Sequence, residues 1–250
     1  MRPRNRAKNV PRTNRLLLPA LLGALLAAAC GGGGESAPAK TADDEATRGD
    51  HEDRPAMSAS AEIGALDEGK VTSAFRAAQG ALQRCLAKGA ERNELEGGDI
   101  AFVVKIDTSG RAVHAHVEKS TIGDRETERC MLSALKKQSW PAPVGGDIGV
   151  AKNGFGFDMP NDSRPPTEWE ADRVSDAVAS VSSKIAACKK GTRGDLTATV
   201  YVDPDGAATS VGIAASDDSG EDAADCLAEA LRGAKYPSPG SWPAKVTFSL

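Results

Sequence analysis

The chain has 250 residues, a formal net charge of −4, 26 glycines, 14 prolines and five cysteines, and only 4% of its side chains are aromatic. That length allows one large domain or two small ones, and so few rings argue against a large core built on bulky side chains. The sign of the charge excludes a strongly basic nucleic-acid binder, so no nucleic acid is expected among its partners.

The first segment, residues 1–29, reads as an address. Arg2, Arg4, Arg6, Lys8, Arg12 and Arg15 form a basic stretch with no acid, and Leu16 to Ala29 is a run of 14 residues rich in Leu and Ala, interrupted only by Pro19 and Gly23. Spanning a bilayer takes roughly 20 apolar residues, so the run fits the apolar region of a secretory signal peptide. It ends Leu26-Ala27-Ala28-Ala29-Cys30 before four glycines. This resembles a bacterial lipobox, although Ala27 stands where the pattern usually has Leu. The resemblance implies that Cys30 takes a diacylglycerol and becomes the mature N-terminus. The alternative is an ordinary cleaved signal with an incidental cysteine. Cleavage there removes six of the 31 basic residues and none of the 35 acidic ones, leaving a net charge of −10. An acidic chain of that kind meets an anionic lipid surface only through its anchor.

Residues 30–66 are Gly, Ala, Ser, Pro and charge, with His51 among them. Such a segment buries too little surface to offset its ordering entropy and reads as a disordered tether. Beyond it, one pattern is written twice. Ile100 to Asp107 followed by Gly110 matches Leu196 to Asp203 followed by Gly206, an offset of 96 residues. The same offset pairs Cys130 with Cys226, Leu135 with Leu231, and Trp140-Pro141-Ala142-Pro143 with Tyr236-Pro237-Ser238-Pro239. Upstream the offset is 103, where Val71, Phe75, Ala78, Leu82 and Cys85 match Val174, Val178, Val181, Ile185 and Cys188. The first copy therefore carries seven extra residues around Glu91 to Gly98, in what reads as a polar loop tolerant of insertion.

Each copy predicts the same elements. The first apolar set has the spacing of one helix face. Ile100, Phe102, Val104 and Ile106 alternate as a half-buried strand does, and Asp107 to Gly110 is a tight turn. Val113, Ala115 and Val117 alternate on the return strand. Glu126 to Lys137 is a second helix, and a last strand alternates Phe155, Phe157 and Met159, with Val246, Phe248 and Leu250 as counterparts. The expected fold class is α+β: two tandem repeats, 67–160 and 172–250, each helix, β-hairpin, helix, strand with a small antiparallel sheet, joined by a linker at 161–171.

Cys85, Cys130, Cys188 and Cys226 remain after Cys30 is set aside. Small domains in an oxidising compartment favour disulfides. Four cysteines allow three pairings, and a duplicated unit favours Cys85–Cys130 with Cys188–Cys226. Metal ligation is the other use, but there is no CxxC motif. No cofactor and no metal site is expected.

The helical Cys85, Gly97 and Gly98 before the strand, Gly110 in the turn, Cys130, Pro141, Pro143, Gly145, Phe155 and Phe157 together resemble the C-terminal domain of the AgmX/PglI gliding-motility type. That type is related in layout to the TonB C-terminal domain. The resemblance covers 67–160 well and 172–250 loosely, since the second copy lacks the glycine pair and one aromatic of the last strand. It implies an envelope interaction module that pairs with a partner segment along an exposed sheet edge. A lipid anchor in place of a membrane-spanning helix implies an accessory or scaffold role without energy transduction.

Other candidates for chemistry are weak in the sequence. His114 and His116 have a spacing that metal sites use, but no third ligand is evident and a solvated strand face explains them. Asp203-Pro204-Asp205-Gly206 opens like a calcium loop and lacks the rest. Asp217, Asp218, Glu221 and Asp222 suit a helix N-terminus. Gly145 to Gly149 lacks the Lys-Ser/Thr of a phosphate loop. No catalytic motif is present, and the chain is expected not to be an enzyme. The expected function is protein–protein interaction or scaffolding by a lipid-anchored envelope protein, at the outer membrane facing the periplasm. The alternative is a peptidoglycan- or small-ligand-binding lipoprotein.

Overall fold

The computed structural model describes residues 62–159 and 163–250; Cys30, His51, the signal segment and most of the tether lie outside them. The described chain is α+β, with five α-helices and two four-stranded sheets in the orders β1-β4-β2-β3 and β5-β8-β6-β7.

In the first half, α1 spans Glu68–Ala90 and starts where the Asp67 carboxylate accepts the Lys70 N–H at 2.9 Å, an N-cap that satisfies one of the free amides of the first turn. Its inner face buries Phe75, Ala78, Leu82 and Cys85. The hairpin is β2 (Gly98–Asp107) and β3 (Ala112–Ser120). Helix α2 (Arg125–Lys136) lies beside α1, and the Cys85–Cys130 disulfide joins them with 5.7 Å between Cα atoms. Strand β4 (Ile148–Phe157) returns antiparallel to β2.

In the second half the first helix is broken. A 3-10 turn (Ala171–Val174) leads into α3 (Ser175–Ser180), Val181 leaves helical geometry, and α4 (Ser182–Cys188) follows. The sequence predicts one continuous helix here. Val174, Val181 and Ile185 do share a buried face, but β-branched and serine residues are poor helix formers. The Ser180 hydroxyl also bonds the Ala177 carbonyl at 2.6 Å, competing with the helix backbone. Strands β6 (Leu196–Val202) and β7 (Ala208–Ala215), helix α5 (Asp218–Arg232) and β8 (Ala244–Ser249) complete the half. The Cys188–Cys226 disulfide closes it, 5.6 Å between Cα atoms. Closing loops with separations of 45 and 38 residues stabilises each half by about 4 kcal/mol on the chain-entropy model.

Three expectations need correction. First, residues 62–66 are not tether: β1 (Ile63–Gly64) pairs parallel with β4, and Leu66 packs on the core. Second, the 161–171 linker contributes β5 (Thr167–Trp169), which pairs parallel with β8. Strands of two and three residues are too short to show alternation, so a pattern reading passes over them. Third, Val113 does not face inward. Lys105 pairs with His114 but Ile106 pairs with Ala112, so Val113 is the extra residue of a β-bulge and is 53% exposed. The second hairpin has its register shift at the matching place, between Tyr201 and Val202.

Two apolar cores result, one under each sheet. The Trp140 indole donates to the Leu135 carbonyl at 3.1 Å, and the Tyr236 hydroxyl donates to the Leu231 carbonyl at 3.0 Å, 96 positions later. The sheets do not merge into one. Instead the outer face of β7 packs on β3 and the start of α2, while α5 reaches the outer face of β3. At Gly212, a Cβ would come 2.8 Å from Gly123 Cα, so only glycine permits this approach of β7.

Candidate functional site

The seam between the halves carries most of the buried polar chemistry. The loop after α1, expected to be a permissive surface insertion, is a wedge in this seam. Asn93, Leu95 and Glu96 are buried in it. The Asn93 amide donates to the Ser210 hydroxyl at 3.0 Å. The Tyr201 hydroxyl donates to the Leu95 carbonyl at 3.1 Å, and the Lys245 ammonium donates to the Gly97 carbonyl at 3.0 Å while lying 5.2 Å from the Tyr201 ring centre. Burial pulls the Lys245 ammonium below its ordinary range and pushes the Tyr201 phenol up. Burial first, then the neighbouring Asp124 carboxylate, pushes Glu96 up to about 8, and neither of its oxygens has a hydrogen-bond partner.

Arg125 is the centre of an ionic cluster across the same seam. Its guanidinium reaches Glu221 at 2.5 Å and Asp225 at 2.6 Å, and Glu128 lies 4.0 Å away. Glu128 is fully buried; one oxygen accepts the Ile213 N–H at 2.9 Å and so occupies a backbone donor of β7. Burial pushes the Glu128 carboxyl up to about 7 against the lowering by Ile213 and Arg125. Arg125 and Glu221 are 96 residues apart, as are Arg129 and Asp225, which lie 3.6 Å from each other. Residues 96 positions apart thus face one another with opposite charge.

The third cluster joins β3 to α5. Because Val113 takes up the bulge, His114 and His116 share the outer face of the sheet with Val103 and Lys105. That face is not solvated: His116 is 3% exposed, since the first turn of α5 covers it. The Asp217 side chain caps α5 by accepting the Gly220 N–H at 3.0 Å, which leaves Asp218 facing the histidines. Asp218 Oδ1 lies 2.8 Å from His116 Nδ1 and 3.4 Å from His114 Nε2, and its Oδ2 pairs with the Lys105 ammonium. Burial works against the Asp218 carboxylate, but the Lys105 ammonium and the two imidazoles outweigh it and hold its carboxyl below the usual range. His114, His116 and Asp218 thus bring three ligand-type atoms within 4.8 Å of one another. The sequence offered no third partner for the two histidines because Asp218 is more than 100 residues away and its local role as a helix-start acid is sufficient. The one local hint is Lys105, which stands opposite His114 in the hairpin.

The remaining candidates are turn chemistry. Asp203 Oδ1 accepts the Asp205 and Ala207 amides at 3.0 and 2.9 Å, bracing the hairpin. Asp107 does the same work with Ser109 and Arg111, and these bonds bring its carboxyl down to about 2. All four cysteines of the described residues are in disulfides.

A different feature lies on the far side of the first sheet. Strand β1 covers β4 only at Ile148 and Gly149, and no described strand pairs with that edge from Val150 to Phe157. A groove of about 600 Å³ runs beside it, lined by Leu66, Glu68, Val71, Val150, Ala151 and Lys152.

No family model, no curated protein and no solved structure matches this chain.

Proposed function

We propose that this chain is a lipid-anchored bacterial envelope protein that binds a partner protein without catalysis, taking an extended segment of it along the edge of β4. In this reading Cys30 carries the lipid, residues 31–61 tether the folded part, and two tandem copies of an AgmX/PglI-like, TonB-like unit make that part. The equal strand orders, the bulge and the Trp140 and Tyr236 contacts repeated at one offset support the duplication.

The observation that carries the interaction reading is the open edge of β4. An unpaired edge presents backbone donors and acceptors to any extended segment. Gly154 and Gly156 are exposed there and offer no side chain that would hold a partner strand away. Phe155 is half-buried beside the Phe102 and Phe75 rings and Phe157 is half-buried beside Phe155, so a partner with apolar residues at alternate positions finds an apolar surface.

The test is a photo-crosslinking residue placed at Gly156, with a second at Gly191 as control, in the full chain within envelope fractions. The expected result is a reproducible protein adduct from position 156 alone, lost when Gly154→Pro sets a ring in the edge and removes the amide that Asn153 Oδ1 accepts from at 3.0 Å. Retention on peptidoglycan with no protein adduct would favour the ligand-binding alternative and overturn this reading. Mass spectrometry of the mature N-terminus tests the anchor: an unmodified Cys30 or a different cleavage point refutes it.

A further inference from the structure

We propose that His114, His116 and Asp218 bind one divalent transition-metal ion of the zinc class, clamping β3 of the first half to the first turn of α5 of the second.

Two imidazoles and a carboxylate are the donors that zinc-class ions take, with a solvent molecule completing the set. Bonds of about 2.0–2.2 Å to such donors place ligand atoms roughly 3.3 Å apart in a tetrahedron. The distances of 2.8 and 3.4 Å from Asp218 Oδ1 to the two histidines bracket that value. The scaffold is suitable: His114 and His116 stand on one face of a paired strand, and Asp218 is held at the start of a capped helix of 15 residues.

A second, independent observation points to a ligand at this place. The Nε2 of His114, the nitrogen that faces Asp218 Oδ1, is buried and has no hydrogen-bond partner, and His116, 3% exposed, faces the same oxygen with its Nδ1. Buried imidazole nitrogens left without a partner are costly and uncommon. This chain keeps one of them, on His114, beside the Asp218 carboxylate.

Lys105 competes with a metal for the Asp218 carboxylate. Its ammonium supplies the positive charge beside Asp218, and its side chain is 40% exposed, so it can swing into water when a metal takes its place. Lys105 is therefore the competitor of the metal, and removing it should tighten binding. A merely structural ion-pair cluster would show the opposite, a weakened seam and no metal response.

The experiment is calorimetric titration of the full chain with Zn2+, repeated by thermal unfolding with and without the ion. The expected result is one equivalent bound per chain and a rise in Tm on binding. His114→Gln and Asp218→Asn should each weaken binding by at least about tenfold, the size of effect that losing a ligand-shell partner has. Lys105→Gln, which leaves all three ligands in place, should bind Zn2+ more tightly than the parent. Co2+ in place of Zn2+ should give the absorption of a tetrahedral nitrogen–oxygen site in the parent and lose it in His114→Gln. Absence of saturable binding by the parent overturns the proposal. So does binding unchanged by His114→Gln and Asp218→Asn, which would place the ion elsewhere, and so does unchanged or weaker binding by Lys105→Gln.

Discussion

Replacing Arg125 by methionine should cost about 3–5 kcal/mol of stability, the range for breaking a buried ion pair from one side. Arg125 is 5% exposed, and its two tightest partners differ in kind. The Asp225 side chain is 58% exposed, so its pairing contributes well under about 1 kcal/mol. The Glu221 side chain is 10% exposed and that of Glu128 is fully buried, so these carry the effect. At an effective dielectric constant near 20, two charges 4 Å apart attract by about 4 kcal/mol, which agrees with that range. Total stability of a chain is commonly about 5–15 kcal/mol, so the loss is a large share of it. Urea unfolding followed by circular dichroism, with disulfides intact, measures it. Arg125→Met/Glu221→Met should recover part of the loss, since it removes one of the two stranded carboxylates and fills the seam with apolar volume, while Glu128 remains. The loss should also shrink in mild acid, where Glu128 takes up a proton. A single substitution that costs under about 1 kcal/mol, or a double no better than the single, would refute the ionic account of the seam.

Glu96 has its carboxyl raised in the folded chain, so the folded state binds the proton more tightly than the unfolded one, and stability falls as pH rises from about 4.5 to about 8. Glu96→Gln should therefore raise Tm at pH about 8 more than at pH about 5, and an equal shift at both would contradict the assignment. Gly206 has φ +75°, and a Cβ there would run into the Tyr236 carbonyl oxygen, so Gly206→Ala should cost about 1–3 kcal/mol, read as a lower urea midpoint. Gly110→Ala should behave alike at the Trp140 carbonyl, and tolerance of both would break the turn argument.

Ala115 and Val117 alternate inward as their spacing says, and both are fully buried. Val113 has the same spacing and faces out, because a bulge adds one residue to the register and a single sequence carries no mark of it. The helix faces read correctly for Phe75, Ala78, Leu82 and Cys85 and for Val174, Val181 and Ile185, but Val178 is only partly buried while Ala177 is buried beside it, and Val181 breaks the second helix. The loop at 91–98 is polar in composition and reads as surface. Its asparagine and backbone carbonyls instead satisfy the outer face of the other sheet.

By itself the sequence determined what depends on near neighbours: the period of each helix and strand, the glycine turns, and the α+β class. Periodicity reports which face of an element is apolar, and that face finds the local core. It says nothing of what covers the polar face. Tertiary structure alone decided that the polar faces of β3 and β7 meet the other half, so that Arg125 lies against Glu221 and Asp218 against two histidines. Those contacts join residues about a hundred positions apart, and each residue already had a sufficient local reason to be there.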